Sequence, residues 1–213
     1  MPYIFYQYVV NTTQGTKMTT ISKRQNLINS SVKVAATIGL SNTTTKTICN
    51  EAHLNEVYLY RNFNNKEHLL LESYLQENEK LMRLIIDEVD KQNKYVQTKS
   101  LKERSKPVVL KAWDYLTENP NVCKFLVYYY QSEQFTKYAL SEHNKWANLL
   151  LNKLKMESYN KKEYARTILY VIFNTVFSMA KQVADNRLPN TKETAEMVFK
   201  CVYIFISACY KRT

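Results

Sequence analysis

Apolar residues return at helical spacing along most of the chain. Leu27, Ile28, Val32, Ala35, Ala36 and Ile38 fall at i, i+1, i+5, i+8, i+9 and i+11, which makes one apolar face. Ser22 is the predicted N-cap, and Gly39 stands just past the end, where a left-handed backbone is favoured. The run Ser41 to Thr45 supplies hydroxyl caps for a second, short helix carrying Ile48, Cys49 and Ala52. A third short helix holds Val57 to Asn62. Only His53, Leu54 and Asn55 lie between them, so the pattern predicts two short helices joined by a tight turn.

Asn65 is the expected cap of a long helix through Leu69, Leu70, Tyr74, Leu75, Leu81, Leu84, Ile85 and Val89 to about Asp90. Lys91 to Lys106 is polar and reads as a partly loose connector into a helix starting near Pro107, with Leu110, Trp113 and Leu116 on one face. Asn119-Pro120-Asn121 stops that helix and starts the next, because proline suits a first helical turn. Val122 to Gln131 and about Phe135 to Met156 follow, then two long apolar helices, about 163 to 186 and 191 to 210. Pro189 separates these two, and Asn190 with Glu193 resembles a capping box.

Composition narrows the class. Two glycines and four prolines are too few for the turns of a sheet or for a Gly-rich phosphate loop, so the chain is expected to be all-α, with about nine helices. With 45% apolar residues it can bury a substantial core. The net charge of +11 suits a polyanionic partner, although the excess is scattered, and a solvated basic surface fits equally well. The segment 91 to 111 concentrates it, with seven basic residues and one acid. Cys49, Cys123, Cys201 and Cys209 have no disulfide-framework or Cys-x-x-Cys spacing, which suits a reduced cytoplasm. Arg166, Asn174, Lys181 and Lys200 interrupt the most apolar stretches, so no membrane association is expected.

Residues 1–17 differ from the rest: an apolar and aromatic run, then a polar stretch before Met18. They are either a true arm or an artefact upstream of a start at Met18, and the onset of the ordered pattern just after Met18 favours the second.

The order of signals from Lys23 to Leu70 resembles the N-terminal domain of the TetR family of bacterial transcription regulators. The matching positions are Ala35-Ala36, Gly39, Thr43-Thr44, Ile48-Cys49, Ala52-His53-Leu54-Asn55, Leu59-Tyr60, Phe63 and Asn65-Lys66-Glu67-His68-Leu69. The resemblance implies a three-helix DNA-binding domain with a helix-turn-helix at 18–65, and a larger helical ligand-binding and dimerisation domain at 66–213. Two positions depart from the pattern. The family's turn glycine is His53 here, a residue type tolerated at a left-handed position, and a second glycine early in the recognition helix is Val57.

A helix-turn-helix places its second helix in the major groove while phosphate contacts fix its register. By resemblance, Asn55, Glu56, Val57 and Tyr58 would reach base edges. Asn55 would pair with adenine, Glu56 would accept from cytosine and Val57 would cover a thymine methyl; the alternative for Glu56 is a partner of the helix dipole. Tyr60 and Lys66 correspond to the family's phosphate contacts, Thr44 caps the second helix beside a phosphate site, and Arg61 adds charge. Leu59 and Phe63 read as core. Cys49 and His53 are spaced like half a metal site but have no second pair, so neither metal nor cofactor is expected. His68 and His143 are isolated from any nucleophile, and the chain is not expected to be an enzyme.

The remaining two-thirds is rich in aromatic residues. A bundle-core pocket for a small apolar or aromatic effector is expected there, with Trp113, Tyr129, Trp146, Tyr170 and Asn174 as candidates, although plain core packing explains each ring singly. Glu133 or Glu142 would pair a cationic ligand. The last two helices resemble the family's homodimerisation pair, with Val171, Phe177, Phe199, Tyr203, Ile206 and Tyr210 as candidate interface residues. The expected whole is a dimeric repressor released from double-stranded operator DNA by its ligand. The alternative is a regulator of the same fold acting through a protein partner or as an activator, with weakened DNA reading.

Overall fold

The computed structural model describes residues 16–154 and 162–210, with side chains from 23 to 154 and from 165 to 207. The expectations for residues 1–15 and for the side chain of Tyr210 lie outside them. Among the described residues the chain is helical throughout: α1 (Thr16–Ile38), α2 (Thr45–Ala52), α3 (Glu56–Asn62), α4 (Lys66–Asn93), α5 (Leu101–Glu118), α6 (Pro120–Tyr130), α7 (Leu140–Lys153), α8 (Lys162–Ala184) and α9 (Lys192–Tyr210). One π-helical turn, Phe135–Ala139, leads into α7.

Most predicted boundaries stand within a few residues, and the exceptions have local causes. α1 begins at Thr16, upstream of the proposed Ser22 cap, because neither proline nor glycine interrupts 16 to 38. It ends at Gly39, whose φ of +81° is the left-handed value expected there. α5 begins at Leu101 rather than near Pro107: Ser100 and Glu103 form a capping box, and Pro107 is accommodated inside the helix. The stretch read as a loose connector therefore supplies the end of α4, a short turn and the start of α5. At α9 the cap is Thr191 rather than Asn190, its hydroxyl oxygen accepting from the Thr194 amide at 3.2 Å. The span Ala165–Ala184 in α8 is long and apolar enough to cross a membrane by length and composition; here it packs against α5, α6 and α9.

Two buried clusters organise these helices. The smaller joins Leu27, Ile28 and Val34 of α1, Ile48, Cys49 and Ala52 of α2, and Leu59, Phe63 and Leu69. The larger fills the body from α4 to α9 and includes Trp113, Phe125, Tyr129 and Phe199. α1 and α4 serve both, since Val32, Ala35, Leu70 and Tyr74 turn toward the larger cluster. A buried hydrogen bond between the Ser31 and Ser73 hydroxyls, 2.7 Å long, ties the two helices. α1 also packs directly on α6, so the N-terminal head is braced against the body.

Candidate nucleic-acid interface and internal cavities

The turn between α2 and α3 is held from both sides. Thr44 caps α2 in a reciprocal capping box with Thr47. His53 closes α2 in the left-handed conformation, φ 52° and ψ 40°, and the Leu54 amide reaches back to the Cys49 carbonyl at 2.9 Å. Leu54 then packs on the smaller core. The His53 position thus keeps the backbone a glycine would adopt, at the cost of a side chain on the exposed turn. Cys49 lies beneath, buried, and burial pushes its thiol up, with Glu56 adding to the shift.

α3 presents a divided first turn. The Asn55 side-chain oxygen accepts from the Val57 amide at 2.9 Å, which makes it the N-cap. One lone pair of that oxygen is thereby engaged, which holds the Asn55 side chain against the first turn of α3. Glu56 accepts from the Thr45 hydroxyl at 2.8 Å and ties the start of α3 to the start of α2. These two residues hold the motif's angle.

The outward face is carried by Val57, 51% exposed, Tyr60, 56% exposed, and Arg61, at i, i+3 and i+4. Leu59 and Phe63 point the other way and are fully buried, as expected. Tyr58 is half-buried and serves as a platform for cations: the Lys23 ammonium lies 4.3 Å from its ring centre and the Arg61 guanidinium 5.9 Å. Lys66 donates to the Thr43 carbonyl at 3.0 Å and lies 3.6 Å from Glu67, which fixes the ammonium beside the start of α2. Its two remaining donors stay available to an anion.

Residues not anticipated from the sequence join this face. Lys46 and Asn50, one turn apart on α2, are exposed, and Lys23 reaches in from α1. Among the described residues Lys23, Lys46 and Arg61 have no carboxylate partner, whereas Arg24 and Lys33 are neutralised by Glu72 and Glu51. Lys46 lies two residues past the Thr44 cap, in the first turn of α2, a position readable as phosphate-facing; Lys23 needed the tertiary structure.

Residues 27–73 match the family model of bacterial regulatory proteins of the tetR family. Over these residues the chain is similar to the TetR family. Solved structures extend the likeness over the TetR-family fold as a whole. A TetR family transcription regulator from Marinobacter aquaeolei is 20% identical, covering 89% of this chain and 97% of its own, with a TM-score of 0.72. A TetR-like transcriptional regulator from a Rhodococcus species is 15% identical, covering 87% and 96%, with a TM-score of 0.62. A TetR-family regulator from Haemophilus influenzae is 18% identical, covering 87% and 97%, with a TM-score of 0.61. No curated protein sequence matches the chain.

Two cavities lie between the helices of the body in this TetR-family fold. The larger, about 430 Å³, lies between α4, α6, the start of α7 and α8, and is walled by Tyr74, Tyr130, His143, Phe173 and Phe177 with Asn78 and Asn174 among its polar groups. Of the five ligand candidates Asn174 alone lines it. Trp113 and Tyr129 are buried core residues, and Tyr129 stacks on Tyr74 with ring centres 4.6 Å apart. Trp146 packs beside the Arg83 guanidinium, and Tyr170 stands behind His143 at 5.8 Å. Side-chain direction across the bundle, which spacing alone does not give, decides which rings face the space. Tyr130, His143 and Phe135 form a mutually packed set, with His143 5.5 Å and 5.3 Å from the other two rings. Burial pushes the His143 imidazole down to about 4, so it is neutral at pH 7, and burial raises the Tyr130 hydroxyl to about 12.

The smaller cavity, about 120 Å³, lies between α4, α5, α7, α8 and α9. Phe173 borders both. Among the dimer candidates, Phe199 is fully buried inside its own chain and is removed from that role: it fills the contact between α9 and α5. Phe177 and Ile206 face the cavities, and Val171 and Tyr203 are half-buried. The exposed apolar stripe on α9 is instead Met197, Cys201, Ile204 and Phe205, at i, i+4, i+7 and i+8.

Proposed function

We propose that this protein is a dimeric transcriptional repressor that binds operator DNA through α3 and is released by a small ligand in the body. The observation that carries the DNA part is the face of Val57, Tyr60 and Arg61, flanked by Lys23, Lys46 and Lys66, on a helix whose opposite side is locked into a core. In this reading Val57 and Tyr58 reach base edges, Thr44, Tyr60, Arg61, Lys46 and Lys66 hold phosphates, and Asn55 and Glu56 fix the helix angle. The ligand part rests on the ring-lined cavity of about 430 Å³, which suits an aromatic effector, and on α4, whose first residue touches the head while Tyr74, Asn78 and Met82 line that cavity. The dimer part rests on the α9 stripe, whose Ile204 is 66% exposed. A cytoplasmic location follows from the role.

The runner-up is a regulator of the same fold that acts through a protein partner. It is favoured by the internal use of Asn55 and Glu56, which leaves fewer base-reading groups.

The test is fluorescence anisotropy on DNA flanking the protein's own gene. Binding is expected to weaken steeply with salt, and the double variant Tyr60→Phe, Lys66→Ala is expected to lose at least about tenfold in affinity. Ile204→Asp should shift the sedimenting species to monomer and weaken operator binding with it. Salt-independent binding, or none at this DNA, favours the runner-up.

A further inference from the structure

The smaller cavity has a chemistry that the aromatic one lacks. Its walls are almost wholly aliphatic, with Phe173 the lone ring among the lining residues. The polar lining groups, Gln92, Asn93, Arg104 and Ser105, all lie at one end, where α4 finishes and α5 begins. The cavity is therefore apolar along its length and polar at one mouth.

That mouth holds unspent hydrogen-bonding capacity. The Arg104 Nε and the Gln92 Oε1 are buried and have no partner. Arg104 has no carboxylate partner among the described residues. The nearby acids are engaged elsewhere: Glu88 accepts from the Gln92 amide at 2.7 Å and faces Lys91 at 3.6 Å, Asp90 pairs with Lys153 at 2.6 Å, and Glu103 accepts from Ser100 in the capping box. The Asn93 amide donates to the Lys153 carbonyl at 3.0 Å. An arginine left unpaired beside an apolar cavity is costly unless an anion completes it. The four polar mouth residues all belong to the basic segment 91 to 111, whose net positive charge favours anions nearby.

We infer that this cavity binds a straight-chain alkyl carboxylate, its chain along the aliphatic walls and its head on the guanidinium of Arg104. The fork of Nε and a terminal nitrogen matches the two oxygens of a carboxylate, and the free Gln92 oxygen is left for a bridging water. The cavity volume is about 120 Å³. At roughly 10–15 Å³ per water-sized group, that admits on the order of ten non-hydrogen atoms, the size of octanoate. The site does not depend on DNA recognition.

Calorimetric titration of the full chain, without DNA, tests it with octanoate, octanol and octyl phosphate. Octanoate is expected to bind at least about tenfold more tightly than octanol, the worth of one charge-assisted contact. Arg104→Gln should remove that preference and leave octanol binding unchanged. Ala112→Phe, which fills the cavity at its α5 wall, should abolish binding of both while the circular dichroism spectrum stays that of the parent. Equal affinity for octanoate and octanol, tighter binding of octyl phosphate, a preference that survives Arg104→Gln, or binding that survives Ala112→Phe overturns the inference. Because operator DNA is absent from every arm, the result is separable from the anisotropy test above.

Discussion

The head and the body are built from the same kind of helix but differ in how much each residue has to spare. In the head, α2 and α3 together span few turns, and the side chains that do not face outward are committed: Leu59 and Phe63 to the core, Asn55 and Glu56 to the turn, Thr44 and Thr47 to a cap. In the body the apolar residues exceed what the core can use. The surplus becomes cavity walls around Phe173 and an exposed stripe on α9. A short motif fixes its shape by local bonds, and a bundle with apolar surplus leaves internal space and an uncovered face.

The sharpest way to break this comparison is to open the small core. Leu59 is fully buried with eight other residues in its cluster, and Leu59→Ala should cost about 3 kcal/mol. Hydrogen exchange is expected to show α2 and α3 losing protection while α8 and α9 keep theirs, with DNA binding lost. If head and body lose protection together, the two clusters are one cooperative unit, joined through the Ser31 and Ser73 contact.

How much of this was legible follows the same division. The head could be read nearly residue by residue because caps, left-handed positions and i, i+4 pairs are local: Thr44, Gly39, His53, Asn65 and Leu59 stand where the spacing puts them. What escaped there, the internal bonds of Asn55 and Glu56 and the reach of Lys23, depends on how short helices meet. In the body the helices were legible but their rotations were not. An aromatic residue at helical spacing does not reveal whether it is buried in the core, as Trp113 and Phe199 are, or faces a cavity, as Tyr130 does. Arg104 was hidden for another reason: it stood in a stretch whose polarity suggested a connector.

A pH titration examines the body alone. The His143 imidazole is held at about 4, below its ordinary 6.5, because burial disfavours the charged form. The unfolded chain therefore takes up this proton first as the pH falls. The stability from this group is whole above about pH 6.5 and is lost progressively toward pH 4, by about 2 kcal/mol between pH 7 and 4.5. Urea unfolding of the parent and of His143→Gln should show the gap between them shrink by that amount across the window. A constant gap means that His143 titrates normally and that the cavity beside it is open to water. Head residues are not expected to contribute to this difference.

The smallest effect compares two caps. Thr44 opens α2 in the head and Ser100 opens α5 in the body, each in a reciprocal capping box. Alanine at either should cost about 1 kcal/mol in global unfolding. Their consequences should diverge. Thr44→Ala loosens the helix that carries Lys46 and leans on Glu56 through Thr45, so operator affinity falls. Ser100→Ala frees the first turn of α5, where Arg104 stands, so operator affinity in the absence of ligand holds while octanoate binding weakens. The two variants, compared by anisotropy and calorimetry at matched stability, separate the head's use of a cap from the body's. A Ser100→Ala protein that loses both functions equally would mean that the start of α5 supports the whole fold rather than one mouth of a cavity.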